Sequence, residues 1–382
     1  MNDIDKIIGA IIDDDILGVE RYLDSENINE FNEEFITPLM MASRLGRYYI
    51  VKYLVEQGAD INLRSPDDGY SPLLDALSSQ HEKIALYLME NGANVIVKGS
   101  DGNIPIMFAI EYGQVKAAEK LIELDCDITT TTMWGVNALH GACKNGHFKI
   151  VQLLIQKGVN IESVTDNGET PLALACSSGH KNIAEFLISH NADINNGYDK
   201  DYSMTPLFLA VKNDHKEIAE YLYSIGAKLS TENLMNAALI GLTINFSMSD
   251  FTMKLIDDVN DDVINYYEDD MDKVTLVSSA SGMGQLDIVG KLVKRGADIN
   301  AQDIIIKSNP LFKAIFNNHP RVVYFLLEMG ANLKVTDWEN NTPLDIALDT
   351  QHEEVIEVFN EFIQKNNINP NDICNKDTFK QQ

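Results

Sequence analysis

The sequence predicts an all-α protein built as an array of stacked helix-turn-helix units, and three observations predict it. A proline slot recurs at 38, 72, 105, 138, 171 and 206, in steps of 34, 33, 33, 33 and 35 residues, with Ala138 standing in for the proline. An alanine follows four residues after the slot in copy after copy (Ala42, Ala76, Ala109, Ala142, Ala175, Ala210, Ala314, Ala347), and Ala280 holds the same place in its own copy. Each copy then runs into an apolar stretch such as Ile150-Val151-Gln152-Leu153-Leu154. Self-similarity at a fixed period of this length marks a repeat architecture. It overrides the prior of two or three globular domains that 382 residues would suggest.

The start of each copy reads as the start of a helix. Thr37-Pro38-Leu39, Ser71-Pro72-Leu73, Thr170-Pro171-Leu172, Thr205-Pro206-Leu207, Asn309-Pro310-Leu311 and Thr342-Pro343-Leu344 share one pattern, and Asn137-Ala138-Leu139 fills an intervening place. Proline in the first turn costs no hydrogen bond, because its missing N–H has no partner there anyway. The Thr or Ser before it caps the free backbone N–H groups. The small Ala lets two short helices approach closely. The apolar residues of the second helix, for example Ile183, Ala184, Phe186, Leu187 and Ile188, face neighbouring copies. Copies close on Gly58-Ala59-Asp60-Ile61-Asn62, Asn191-Ala192-Asp193-Ile194-Asn195 or Gly296-Ala297-Asp298-Ile299-Asn300, where the first residue can take the left-handed conformation that ends a helix. One helix pair cannot bury its apolar face alone; stacking makes the core continuous.

This unit resembles the ankyrin repeat, about 33 residues long with a T-P-L-H-x-A signature. The resemblance covers roughly residues 1–365 and recurs about ten times. It implies a solenoid with short β-hairpin-type loops, curved so as to present a concave face. The expected organisation is an N-terminal capping half-repeat at 1–35, repeats at 36–229, a degenerate repeat with an acidic insertion at 230–272, repeats at 273–335, a C-terminal cap at 336–365 and a polar tail at 366–382. In the first cap Ala10, Ile11, Ile16, Val19, Tyr22 and Leu23 are expected inward; in the last, Glu353, Glu354, Glu357 and Glu361 outward. Residues 230–272 lack the Thr-Pro-Leu start and are read as a defect in the stack, a hinge or a specialised surface. The tail is expected to be disordered.

A net charge of -28 repels phosphate backbones and excludes nucleic-acid binding by simple electrostatics. The same charge steers basic segments toward the protein. No apolar run is long enough to enter a membrane. The first residues carry Asp3, Asp5, Asp13, Asp14 and Asp15, unlike a signal peptide. Four cysteines (Cys126, Cys143, Cys176, Cys374) make no disulfide framework, so a reducing, cytoplasmic setting is expected.

In the ankyrin family, partners engage the hairpin tips and the solvent-facing positions of the first helices. Carried across, that resemblance points to Asp67, Asp68, Tyr70, Asp101, Asn103, Met133, Trp134, Val136, Asp166, Asn167, Glu169, Asp201, Tyr202, Met204, Trp338 and Glu339 at the tips. Glu111, Tyr112, Lys144, Asn145, Ser177, Ser178, Lys212 and Asn213 follow on the first helices. Both tryptophans of the chain fall at tips, and large aromatics outside a core are the type enriched in binding hot spots. Carboxylates between the aromatics suit a partner protein or peptide carrying Lys or Arg plus apolar anchors.

No cofactor or catalytic apparatus is expected. His140, Cys143, His147, Cys176 and His180 invite a zinc or Cys/His reading, but each occupies a position the repeat already explains, and the spacing is not that of a zinc motif. Asp258, Asn260, Asp262 and Asp269 have calcium-loop spacing, but Val263 stands where the turn glycine belongs; a solvated acidic loop is expected instead. Gly282-Met283-Gly284 lacks the third Gly or Lys of a phosphate cradle. The leading function is a scaffold, adaptor or inhibitor that works by binding. Alternatives are an effector that binds a host protein and, from the resemblance, a substrate of asparaginyl hydroxylation at Asn62, Asn195 and Asn300.

Overall fold

The computed structural model describes residues 3–100, 102–197, 205–230, 232–267 and 273–375, and the chain divides into two compact units, Met1–Pro206 and Leu207–Gln382. Asp101, Asp201, Tyr202, Met204 and Asp269 lie outside the described residues.

In the first unit, short first helices alternate with slightly longer second helices. Pro38–Arg44, Pro72–Ser78, Pro105–Glu111, Ala138–Lys144 and Pro171–Ser177 pack side by side as one layer. Tyr48–Glu56, Glu82–Glu90, Val115–Glu123, Phe148–Gln156 and Lys181–Ser189 form the other. The slots explain the start points. Thr37, Ser71 and Thr170 each accept a bond from the backbone N–H three residues on, satisfying a donor the helix leaves free. Ile104 stands at the same place with no side-chain bond. Ala42, Ala76, Ala109, Ala142 and Ala175 are wholly buried, where a larger side chain would separate the two helices of the pair. At the N-terminus, helices Asp3–Ile12 and Ile16–Tyr22 bury Ile4, Ile7, Ile8, Ile11 and Val19; Ala10, Ile16, Tyr22 and Leu23 are half-buried.

The loops carry no strand ladder among the described residues. Tips are instead closed by short backbone bonds, as in Thr132 N–H to Val136 O (2.8 Å) with Gly135 N–H to Thr132 O (3.0 Å), and Thr165 N–H to Glu169 O (3.1 Å) with Gly168 N–H to Thr165 O (2.8 Å). Successive tips are joined by single bonds, Ser100 N–H to Asp68 O (2.8 Å) and Asp166 N–H to Trp134 O (3.0 Å).

A second set of polar links joins repeats at the turn between the two helices. His81 Nε2 donates to Arg44 O (3.1 Å), Gln114 Nε2 to Leu77 O (2.6 Å), His147 Nε2 to Ile110 O (2.9 Å) and His180 Nε2 to Lys144 O (3.1 Å). Each bonds a carbonyl at the end of a first helix, where the helical ladder runs out; those of Leu77 and Ile110 also accept the N–H of Gln80 and Gly113. The ring of His180 lies so close over Gly146 that a β-carbon there would sit 2.6 Å from His180 Cε1, and Gly146 holds a φ of +79°. Backbone conformation and neighbour contact thus both favour glycine.

At the joint between the copies that start at 38 and 72, Arg44 donates through Nε (2.8 Å) and Nη2 (2.7 Å) to Oδ1 of Asp75, a fully buried carboxyl. Oδ2 of Asp75 has no partner. Burial pushes this carboxyl up to about 7, against the opposing pull of Arg44.

The second unit contains helices Lys216–Ser224, Asn233–Asn245, Ser249–Asp258, Asp261–Ile264, Leu276–Gly282, Leu286–Lys294, Pro310–Phe316, Pro320–Glu328, Pro343–Thr350 and Glu353–Lys365, with Pro206–Lys212 at its start. Asn233–Asn245 packs on Ser249–Asp258 and on Leu276–Gly282. The acidic segment is not a solvated loop. Asp257 pairs with Lys291 (2.6 Å), Asp261 with Arg295 (2.7 Å), and Asp258 accepts the Tyr223 hydroxyl. Val259, Val263 and Ile264 are buried and Asn260 caps Asp261–Ile264. The apolar residues between the aspartates fold the segment down; composition alone conceals this because the charges outnumber them.

The start of the tail differs from expectation as well, while residues 376–382 lie outside the described residues. Residues 366–375 are ordered, with a single 3-10 turn Pro370–Asp372 and a buried Ile373. Asn375 N–H and the Cys374 thiol both donate to Asp345 (3.1 and 3.0 Å). Burial would raise the Asp345 carboxyl, but these donors and Thr342 outweigh it and hold it below its usual range. Glu353, Glu354, Glu357 and Glu361 face solvent.

Candidate interaction surface

The first unit holds a groove of about 370 Å³ where first helices Pro105–Glu111, Ala138–Lys144 and Pro171–Ser177 meet the tips at 132–136 and 165–169. A glycine lines it where neighbouring copies carry a bulky residue. Three residues after the proline slot, neighbouring copies carry Phe108 and Leu174, whereas Gly141 stands between them. A β-carbon at Gly141 would come within 3.1 Å of Ile110 Cγ2, so this position has little room for a side chain.

Trp134, Tyr112 and Phe108 stand around this gap, with Glu111 and Glu169 as carboxylates and Lys144 as the cation. The Trp134 indole is 66% exposed, although its backbone is fixed on both sides: its N–H donates to Thr132 Oγ1 and its carbonyl accepts from Asp166. Tyr112 stacks on Phe108 (centroids 6.3 Å, interplanar angle 5°), and Phe108 meets the edge of Tyr70 at 5.9 Å. Thr165 Oγ1 donates to the Glu169 carboxylate at 3.4 Å. An apolar, aromatic-walled groove with a few convergent polar groups is the usual form of a ligand site.

The family profile described as "Ankyrin repeats (3 copies)" matches residues 8–99, 39–132, 106–197, 139–233 and 276–372. The chain belongs to the ankyrin repeat family. An ankyrin repeat protein of Fowlpox virus (strain NVSL) is 31% identical over 117 residues, 29% of this chain and 34% of the relative. Ankyrin repeat and SAM domain-containing protein 6 of Rattus norvegicus is 33% identical over 79 residues, 21% and 9% of the two chains. Alpha-latrocrustotoxin-Lt1a of Latrodectus tredecimguttatus is 41% identical over 75 residues, 19% and 5%. The matched segments thus cover 34% or less of each of these relatives. Ankyrin repeats typically bind proteins and are usually not catalytic. No helix among the described residues is long and apolar enough to cross a membrane.

Of the residues singled out from sequence, the ankyrin stack brings Glu111, Tyr112, Trp134 and Glu169 together around the groove. Tyr70 joins them through Phe108. Met133 and Asp166 are exposed beside Trp134, and Asp67 is exposed at an earlier tip. Asp68 is engaged within the fold: it accepts Tyr70 N–H (2.9 Å), its carbonyl accepts Ser100, and it lies 3.7 Å from Arg44. Trp338 stands on the second unit, 64% exposed, with its N–H on Ile306 O (3.2 Å). Beside it Ile304, Ile305 and Ile306 are exposed, a cluster that sequence reading passed over because a run of isoleucines resembles a core strand. Phe108 and Gly141 were missed too. For Gly141 a signal existed, since a single glycine replaces a bulky residue of the series.

The histidines and cysteines serve the stack. His140 Nδ1 accepts Asn137 N–H (3.2 Å) and Nε2 donates to Ser163 O (3.0 Å), an arrangement suited to the neutral ring. Burial lowers its pKa accordingly. Cys143 and Cys176 are fully buried and burial raises both thiols; that of Cys126 is pushed up to about 12. A thiol held protonated in this way is a poor nucleophile and metal ligand. No group of three His, Cys, Asp or Glu among the described residues is placed to hold a metal ion.

Asn62 and Asn300 join repeats. Asn62 Oδ1 accepts Asn94 N–H (2.7 Å) while its Nδ2 donates to Gly92 O (3.2 Å), and Asn300 Oδ1 accepts Asn332 N–H (2.8 Å). Asn195 N–H donates to Asp193 (2.9 Å).

Proposed function

We propose that this ankyrin repeat protein is a non-enzymatic interaction module, a scaffold, adaptor or inhibitor, whose first unit binds a protein segment in the groove beneath Trp134. The supporting observation is the exposed Trp134 indole, held on a fixed backbone over a groove lined by Gly141. The ligand this favours is a chain segment placing a Lys or Arg side chain between Tyr112 and Trp134, close to Glu111 and Glu169, with an apolar neighbour seated on Phe108. Cations over aromatic faces contribute about 0.5–2 kcal/mol depending on desolvation. The net charge of -28 supports a basic partner and disfavours nucleic acid. Four unpaired cysteines, three of them buried, support a reducing, cytoplasmic setting.

The test is selection of peptides from a random library on the intact chain, followed by calorimetric titration. Peptides rich in Lys or Arg with an apolar residue should bind, weaken at least tenfold on Trp134→Ala, and weaken again on Glu111→Gln with Glu169→Gln. Binders indifferent to all three substitutions would exclude this groove.

A further inference from the structure

Four second helices of the second unit, Ser249–Asp258, Leu286–Lys294, Pro320–Glu328 and Glu353–Lys365, pack side by side in that order. Their outward faces carry two connected depressions of about 860 and 450 Å³ that share Leu286, Arg321 and Phe325. Met253, Leu286 and Phe325 make an apolar floor, which continues past Tyr324 to Val358.

Gly290 opens this trough. The residue after the buried apolar pair of a second helix is Lys52, Leu86, Glu119, Gln152, Glu185, Glu220, Tyr324 or Glu357 in other copies, and Gly290 here. Glycine inside a helix is worse than every residue but proline. The fold of this chain does not call for it: Gly290 has an ordinary helical backbone, and the nearest atom to a β-carbon there would be Phe325 Cζ at 3.9 Å. Gly146, by contrast, is favoured by its φ and by the nearness of His180.

Charge marks the occupant. Nearby Asp257, Asp261 and Glu328 are paired with Lys291, Arg295 and Lys365. Among the described residues, Asp250, Asp287 and Glu361 line the same trough with no cation paired to them, against one unpaired Arg321.

We infer that this trough is a second interaction surface, distinct from the groove of the first unit, and that it takes a basic amphipathic segment of a partner protein. A bulky apolar side chain of that segment seats over Gly290 against Met253 and Phe325, and its Lys or Arg residues meet Asp250 and Asp287. Apolar anchors in a pocket supply affinity, and the surrounding charges select the partner.

The experiment is selection of phage-displayed random peptides on the full chain, with binders titrated against wild type, Gly290→Gln, Asp250→Asn with Asp287→Asn, and Trp134→Ala. Gly290→Gln restores a residue type found in the same slot, so its melting temperature should equal or exceed that of wild type. One class of binders, carrying Lys or Arg with Leu or Phe, should lose at least tenfold in affinity on Gly290→Gln, several-fold on the double aspartate variant, and nothing on Trp134→Ala. If every binder is indifferent to Gly290→Gln, or every binder depends on Trp134, the inference is overturned. Selection of acidic peptides at this trough overturns its charge assignment.

Discussion

The close approach of His180 to Gly146 can be measured against a control inside the same repeat. Gly146 and Gly158 hold nearly the same backbone, with φ of +79° and +81°. A β-carbon at Gly158 meets nothing within 4 Å, whereas one at Gly146 lies 2.6 Å from His180 Cε1. Gly158→Ala therefore costs only the left-handed strain of an L-residue, about 1–2 kcal/mol. Gly146→Ala costs that strain and must also displace the imidazole, losing its bond to Lys144 O, a further ~1 kcal/mol or more. Urea unfolding of both variants, with hydrogen exchange to confirm that the loss is centred on this joint, measures the difference. The double variant Gly146→Ala, His180→Ala should then cost less than the sum of its single changes by about 1 kcal/mol, since the histidine no longer obstructs. Equal loss in Gly146→Ala and Gly158→Ala, with no coupling to His180, would refute the argument that the ring dictates glycine.

Asp75→Asn should remove a pH dependence. The Asp75 carboxyl is raised from 3.8 to about 7 by burial, so its stabilising protonated form is complete in acid and is lost as pH rises through neutrality. Between pH 5.5 and 8, above the isoelectric point near 4.5, wild type should lose about 2 kcal/mol relative to Asp75→Asn; a difference constant over that range would contradict the assignment. Native alkylation followed by mass spectrometry should leave Cys126, Cys143 and Cys176 unmodified and label Cys374, the only one of the four not buried; labelling of Cys143 before unfolding would mean the stack opens there. Thr170→Ala should cost about 1 kcal/mol through its lost bond to Ala173 N–H, while Trp134→Ala should leave the urea midpoint unchanged. Peptide mapping by mass spectrometry of the protein from its native cell should show no added oxygen at Asn62, whose amide holds the next repeat through both ends.

The helix starts were legible because they depend on local chemistry: a cap at Thr170 and a proline at 171 act within one turn, whatever lies around them. The wholly buried alanines were legible for a similar reason, since the period places the same residue at the same joint each time. What sequence reading missed acts across 30 or more residues. Arg44 meets Asp75, and His180 meets Lys144 O, through a register between copies that no single copy displays. The grooves escaped notice because they are made of absent atoms, at Gly141 and Gly290, and a search for large or charged residues does not count vacancies. The acidic segment misled for the opposite reason: its charges dominate the composition, while Val259, Val263 and Ile264 decide where it folds.

The placement of both tryptophans at exposed tips determines what light can report about this molecule. Their indoles already meet water in the folded chain, so their emission colour should hardly shift when the repeats come apart, and a melting curve followed that way would look flat for a protein that had unfolded. A ligand covering Trp134 takes that indole out of water, which should move its emission toward the blue. The two fluorophores are therefore poor witnesses to folding and good ones to occupancy, and stability must be followed through the helical backbone instead.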